Sequence, residues 1–288
     1  MLLYRPNRRL HKLRRVRQIL TRLAYYGFAE LTEAIGLRRR RLLAGAVQEL
    51  RPGRRVRRQP FGARLRLLFE ELGPTFIKLG QLLSLRSDLL PEEITEELRR
   101  LQYGAAPLPF EKLEPVLERA LGRPWRECFA SIEPQPVASA SIAQVHRGVT
   151  LDGRTVALKI QRPGIDRLIQ SDVAILADLA ALIERYLPRA RIYRPVQLVD
   201  HFAKTITLEL DFAYEGRTMD LVRRNFRGET AIHVPESSYP SGRTASVTSA
   251  FAASPPAVRL VSITVPVKRG VRASAFAVAF AMREPAIT

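Results

Sequence analysis

Residues 136–164 read PVASASIAQVHRGVTLDGRTVALKIQRPG, and their pattern decides the fold. Residues 141–149 and Thr155–Gln161 are apolar and rich in β-branched side chains, and Leu151-Asp152-Gly153-Arg154 between them has the composition of a turn. The stretch predicts a β-hairpin. Its second strand carries Lys159 between Leu158 and Ile160. A lysine among buried strand residues needs an anionic partner, because an unpaired ammonium there is costly to desolvate. The first strand is entered through Ala138-Ser139-Ala140-Ser141 rather than through a glycine-rich run.

Val156-Ala157-Leu158-Lys159 has the pattern of the nucleotide-binding lysine strand of protein kinases. The usual partners of that lysine are ATP phosphates and a glutamate on a following helix. Alone, this tetrapeptide is a weak signal; with SASIAQVH before it and QRPG after it, the signal is strong. The hairpin resembles that of the UbiB-like (AarF-type) atypical kinases, which carry an alanine-rich loop where ordinary kinases carry glycines. Two further motifs sharpen the resemblance. Lys78-Leu79-Gly80-Gln81, within GPTFIKLGQLLSLRSDLLP, is similar to the family's KxGQ signature, and Glu209-Leu210-Asp211 is similar to its ExD signature. The resemblance runs from about Phe61 to Glu236.

It implies an ATP site in which Ala138, Ser139, Ala140 and Ser141 cover the nucleotide, Lys159 contacts phosphates and Glu215 orients Lys159. It further implies that the helix with Lys78, Gly80 and Gln81 lies over the cleft, that Lys78 pairs with Glu209, and that Glu209 and Asp211 share in gating it against protein substrates. An intact family member would be an ATP-dependent atypical kinase or ATPase, using Mg²⁺, tied to ubiquinone biosynthesis. Its expected place is the cytoplasm, at or near the inner face of a bacterial cytoplasmic membrane.

Charge is unevenly distributed. Residues 1–60 carry 17 Lys/Arg and 3 acids, residues 61–236 carry 24 of each, and residues 237–288 carry 6 and 1. The neutral centre argues against a nucleic-acid-binding core and confines any electrostatic partner to the N-terminal arm. That arm lacks interleaved aromatics for stacking bases, so an RNA-binding role ranks low. The single cysteine, Cys128, allows no intrachain disulfide and suits a reducing compartment. No secretory signal is expected, and no run of 18 apolar residues exists to span a membrane.

Residues 8–25, RRLHKLRRVRQILTRLAY, place Leu10, Leu13, Leu20 and Leu23 on one helical face amid arginines. Such a helix either lies on an anionic membrane surface, leucines inserted, or packs on the core with a solvated basic rim. Arg38–Arg41 and residues 51–58 read as helix ends and a charged linker. Residues 61–89 predict helix broken at Gly73-Pro74, with Phe69, Leu72, Phe76, Leu79 and Leu83 facing the core and Gly80 letting another backbone come close. Residues 91–102 and 109–121 predict further helices, the first suited to its dipole, and Trp125, Phe129 and Ile132 read as packing. Residues 166–186 predict a long helix, and residues 196–226 another, holding Glu209, Asp211 and Glu215. Against the family pattern, Tyr103-Gly104-Ala105-Ala106 replaces an acidic pair, and Gly216-Arg217-Thr218 replaces an asparagine after Glu215. His146 reads as a packed or hydrogen-bonded histidine, and no Cys/His spacing suggests a metal site.

The kinase pattern then stops. A kinase also needs a catalytic-loop aspartate, an asparagine and a second aspartate for metal. The last aspartate of the chain is Asp220, and only Glu229, Glu236, Glu284 and His233 follow among acids and histidines. No catalytic residue is assigned. Residues 237–288 contain 11 alanines amid Ser, Pro, Val and Arg, without sustained periodicity. That mixture is expected of a G+C-rich gene read out of frame after Glu236; the alternative is a divergent, disordered or weakly folded tail. The reading is thus α+β: a kinase-like N-lobe with a small antiparallel sheet, a helical N-terminal extension, and a C-lobe missing or incomplete. Residues 1–60 form the basic arm, 61–135 the helical extension, 136–236 the lobe and 237–288 the aberrant tail. The alternative function is a non-catalytic nucleotide-binding or membrane-associated remnant.

Overall fold

Apolar side chains three and four residues apart stack several helices into one cluster, and a second, smaller cluster lies under a twisted sheet. The computed structural model describes residues 7–28, 56, 58–101, 106–227, 234, 237–238 and 244–249. The chain divides into units Met1–Ala250 and Phe251–Thr288, and the second lies outside the described residues. Also outside them are Arg38–Arg41, most of residues 51–58, and Tyr103 to Ala105.

The helices are α1 (Asn7–Tyr25), α2 (Phe61–Leu72), α3 (Pro74–Ser84), α4 (Glu92–Arg99), α5 (Phe110–Leu121), α6 (Ile165–Tyr186), α7 (Pro195–Glu209) and α8 (Phe212–Asn225). Gly73 separates α2 from α3 at φ 92° and ψ −157°, a conformation that a side chain would strain. Pro74 follows at the first helical position, where its missing N–H costs nothing. Phe69, Leu72, Phe76, Leu79 and Leu83 all enter the larger core with Leu98, Leu101, Ile169, Phe202 and Ile206.

Helix α1 gives part of its stripe to this core. Ile19 and Leu20 are buried and Val16 and Leu23 partly so, whereas Leu13 is half exposed. Of the two readings of this helix, packing on the core accounts for Leu20 and for part of Leu23. Lys12, Arg14 and Arg17 stay exposed as a basic rim. No described helix is long and apolar enough to cross a membrane.

The sheet contains β1 (Phe129–Ile132), β2 (Ala138–Ser139), β3 (Ala143–Thr150), β4 (Thr155–Gln161), β5 (Ser237–Ser238) and β6 (Ala245–Ser249). Their order is β1-β3-β4-β6-β5, antiparallel throughout, with β2 paired to β3. The β3–β4 hairpin runs in register from Val149↔Thr155 to Ala143↔Gln161. In its turn Thr150 donates through its hydroxyl to Asp152, which also accepts from Arg154 Nε at 2.6 Å. Alternation then sorts β4. Val156, Leu158 and Ile160 pack with Phe110, Leu113, Leu117 and Trp125 on the α5 side, which leaves Lys159 and Gln161 for the opposite face.

Two expectations are corrected. The lobe does not end at Glu236, because β6 pairs with β4 from Ile160↔Ala245 to Val156↔Ser249 and β5 pairs with β6. Main-chain groups make those ladder bonds, so the open edge of β4 can capture ASVTS despite its weak apolar pattern. The single helix read over residues 196–226 is two helices. Asp211 leaves helical geometry at φ −97° and ψ 88°, and its carboxylate accepts from the Tyr214 N–H at 3.0 Å, capping α8.

Candidate functional site

The helix break brings the sequence motifs together. Glu209 is the last residue of α7, Asp211 caps α8, and Glu215 lies in the first turn of α8, where the helix dipole favours an acid. Glu215 Oε2 is 2.5 Å from Lys159 Nζ on the open face of β4. The same ammonium lies 4.4 Å from the ring centre of the fully buried Phe212, a cation–π contact. Glu209 Oε2 is 2.7 Å from Lys78 Nζ and so ties α7 to α3. The two glutamates thus hold different lysines on either side of the α7–α8 junction. Each pair is about four-fifths shielded on its lysine side, so these are neither free surface pairs nor deeply buried ones.

Gln161, next but one to Lys159, anchors that junction: its side-chain amide donates to the Leu210 carbonyl at 2.5 Å. Its own N–H goes to Thr244 O at 3.0 Å, ahead of β6. The strand that carries the lysine is therefore locked to the residue between Glu209 and Asp211.

At the other end of the hairpin, Ala138 and Ser139 bridge to Val145 and Gln144, and the Ala140 N–H reaches Ala143 O at 2.8 Å. Ser141 is buried. Arg162 braces this turn: Nε donates to Ala140 O at 2.9 Å and Nη2 to Ser139 Oγ at 2.8 Å and Ala106 O at 2.9 Å. Burial pushes the Arg162 guanidinium pKa down.

Gly80 acts differently from expectation. A Cβ there would lie 2.2 Å from Leu101 Cδ1 and 2.7 Å from Phe69 Cδ2, so the glycine admits side chains of the core rather than another backbone. The nearest partner of the Gln81 amide is Leu101 O at 3.5 Å, a long contact. His146 is fully buried; Nδ1 is 2.9 Å from Glu133 O, Nε2 is 3.3 Å from Gln144 Nε2, and its ring meets Phe110 edge-on. Desolvation, partly opposed by the Glu133 carbonyl, lowers its pKa. Gln144 in turn holds Leu108, accepting from its N–H at 2.6 Å and donating to its carbonyl at 3.1 Å. SIAQVH therefore fastens the hairpin to the segment before α5 on the face away from Lys159.

Arg162, Gln161 and Gln144 were not among the residues singled out from sequence. Their signal was their place inside QRPG and SIAQVH, read there only as parts of motifs. Among the described residues no group of three His, Cys, Asp or Glu side chains is arranged to hold a metal ion. Among these residues Mg²⁺ therefore finds no fitting donor set. The hairpin does offer an ammonium, that of Lys159, positioned by the Glu215 carboxylate.

This hairpin, its lysine–glutamate pair and the five-strand order define a kinase-like N-lobe. Residues 100–251 match the ABC1 atypical kinase-like domain, and the chain belongs to that family. Among its curated relatives is a probable protein kinase UbiB of Marinobacter nauticus, 42% identical over 174 residues, or 60% of this chain and 32% of that protein. The probable protein kinase UbiB of Pseudomonas aeruginosa (strain LESB58) is 45% identical over 175 residues, or 61% and 33%. That of Xanthomonas oryzae pv. oryzae is 45% identical over 183 residues, or 62% and 33%. The matched part of the chain thus spans about a third of the length of these relatives. Among solved structures, the Rv3197–erythromycin complex from Mycobacterium tuberculosis matches with 31% identity and TM-score 0.44, over 64% of this chain and 46% of that one.

Proposed function

We propose that this chain is a UbiB-like nucleotide-binding lobe that holds ATP between the Ala138–Ser139–Ala140–Ser141 turn and Lys159. The observation that carries this reading is the 2.5 Å Lys159–Glu215 pair on the open face of β4. An ammonium has three donors. Glu215 takes one and fixes the direction of the others, which suits contact with phosphate oxygens. Lys78 and Glu209, with Gly80, Gln81 and Asp211 around them, close one side of the cleft and restrict what reaches it. The assignment to ubiquinone biosynthesis belongs to this proposal and follows the family resemblance.

The activity proposed for residues 1–288 is ATP binding without turnover. Phosphoryl transfer needs a base near the acceptor and an acid holding metal on the phosphates, and no aspartate follows Asp220. ATP is expected to raise the melting temperature of the full chain by preferential binding to the folded state, with no hydrolysis above background. Hydrolysis that disappears in Lys159→Ala would sink the inactive reading; absence of any ATP-dependent shift would sink nucleotide binding itself. The alanine-, proline- and serine-rich composition of the tail supports a shift of reading frame after Glu236. Translating the gene in all three frames downstream of the Glu236 codon decides this: a frame yielding His-x-Asp-x-His-Pro-Gly-Asn and Asp-Phe-Gly supports it, and none doing so rejects it.

The exposed Lys12, Arg14 and Arg17 favour a second property, peripheral contact of α1 with anionic lipid at the inner face of the cytoplasmic membrane. Sedimentation with anionic vesicles should weaken as salt rises. Equal sedimentation with neutral vesicles would remove the electrostatic basis.

A further inference from the structure

A loop built of Ala138, Ser139, Ala140 and Ser141 has little side-chain volume with which to hold its own shape. Loops of this kind depend on hydrogen bonds to neighbours, and here most of the external ones converge on Arg162. Its backbone N–H donates to Ile142 O at 2.9 Å. Pro163 follows it and biases Arg162 to extended backbone, which keeps that donor in line with the end of β4. Its side chain adds the bonds to Ala140 O, Ser139 Oγ and Ala106 O. One residue thus grips Ser139, Ala140 and Ile142 at once and ties them to the segment before α5.

The acceptors are all neutral. Among the described residues no carboxylate forms an ion pair with Arg162, whereas the shielded Arg15 and Arg66 pair with Asp172 and Glu97. A part-buried guanidinium with neutral partners keeps its positive potential locally uncompensated, and an anion near the turn would compensate it. Its planar fork also reaches three acceptors in fixed directions, which a lysine ammonium on a flexible stem does not reproduce.

We infer that Arg162 is a positioning residue for the nucleotide phosphates: it holds the alanine-rich turn closed and places positive charge behind it. This rests on the nucleotide reading above. Its loop-holding part has consequences in the free protein, and its phosphate part predicts discrimination by phosphate rather than by base.

Both are measured on the full chain, wild type, Arg162→Ala and Arg162→Lys, by amide hydrogen exchange without nucleotide and by dissociation constants for ATP, ADP and adenosine. In Arg162→Ala, amides of residues 139–143 should exchange at least ~10-fold faster while Leu158 and Ile160 keep their protection. ATP and ADP should bind ~10-fold more weakly, with adenosine unchanged, the size of one lost charge-assisted contact. Arg162→Lys should loosen the turn similarly and recover only part of the ATP affinity. If Arg162→Ala also exposes Leu158 and Ile160, the lysine variant decides alone. Unchanged exchange at residues 139–143, or equal weakening of ATP, ADP and adenosine, would overturn the inference while leaving the nucleotide site standing. Failure of the wild type to bind ATP at all would remove both.

Discussion

His146 shows how a polar residue inside the hairpin can serve stability rather than chemistry. It is fully buried, and burial lowers its pKa from the ordinary 6.5 against a smaller opposing effect of the Glu133 carbonyl. The unfolded chain therefore takes up a proton at a pH where the folded chain does not. The stability this histidine secures is complete above 6.5 and is lost as pH falls from there toward the lower folded value. The urea midpoint should drop between about pH 7.5 and about pH 5.5, and drop less in His146→Gln. Equal drops in the two proteins would show that other groups account for the whole effect. Lys159, on the paired strand β4, has the opposite role, since its partner Glu215 comes from α8 on the open face. Neighbouring positions of one hairpin thus divide between fastening and site.

At the scale of elements, the α7–α8 junction decides whether the site forms. An unbroken helix would carry Glu209 and Glu215 on one straight axis; the break lets Glu209 meet Lys78 on α3 while Glu215 meets Lys159 on β4. Asp211→Ala should cost about 1 kcal/mol through loss of the cap, and should loosen the Lys159–Glu215 pair with it. Chemical denaturation measures the first effect, and a change below a few tenths of a kcal/mol would mean the cap contributes nothing. Much of this architecture was legible in the sequence. The hairpin announced itself by β-branched alternation around Asp152-Gly153, and the α2–α3 break by Gly73-Pro74. The α7–α8 break was not legible, because an aspartate within a helical pattern usually sits on a solvated face, and neither glycine nor proline marked this one. The cap was visible only as an aspartate before the new apolar start at Phe212. Strand β6 was hidden for another reason: its pairing is made by main chain against the open edge of β4, which composition does not report. Arg162 was hidden because its acceptors are mostly backbone carbonyls brought near by the turn.

In the whole molecule the N-terminal helix is fastened to the helical core by a charge network absent from the sequence reading. Arg15 donates to both carboxylate oxygens of the fully buried Asp172 at 2.7 and 2.8 Å, and to Leu72 O at 2.7 Å. Thr75 donates to the same carboxylate at 2.7 Å. One acid on α6 thereby joins α1, the end of α2 and the start of α3, the helix that carries Lys78. Asp172→Ala would leave a shielded guanidinium without its charge partner, at a cost of about 3–5 kcal/mol, a large share of a typical domain's stability. Urea unfolding checks this, and a loss under about 1 kcal/mol would contradict the network's importance. The same core supports α3 and α7, which the Lys78–Glu209 pair joins, so the arm and the site share one foundation. The measurement that bears most directly on that site is a calorimetric titration of ATP into the full chain and into Lys159→Met. The wild type should bind one ATP and the variant at least ~10-fold more weakly, with their urea midpoints close together. Equal affinity in the two proteins would contradict the assignment of Lys159, and with it the account of this lobe as a nucleotide site.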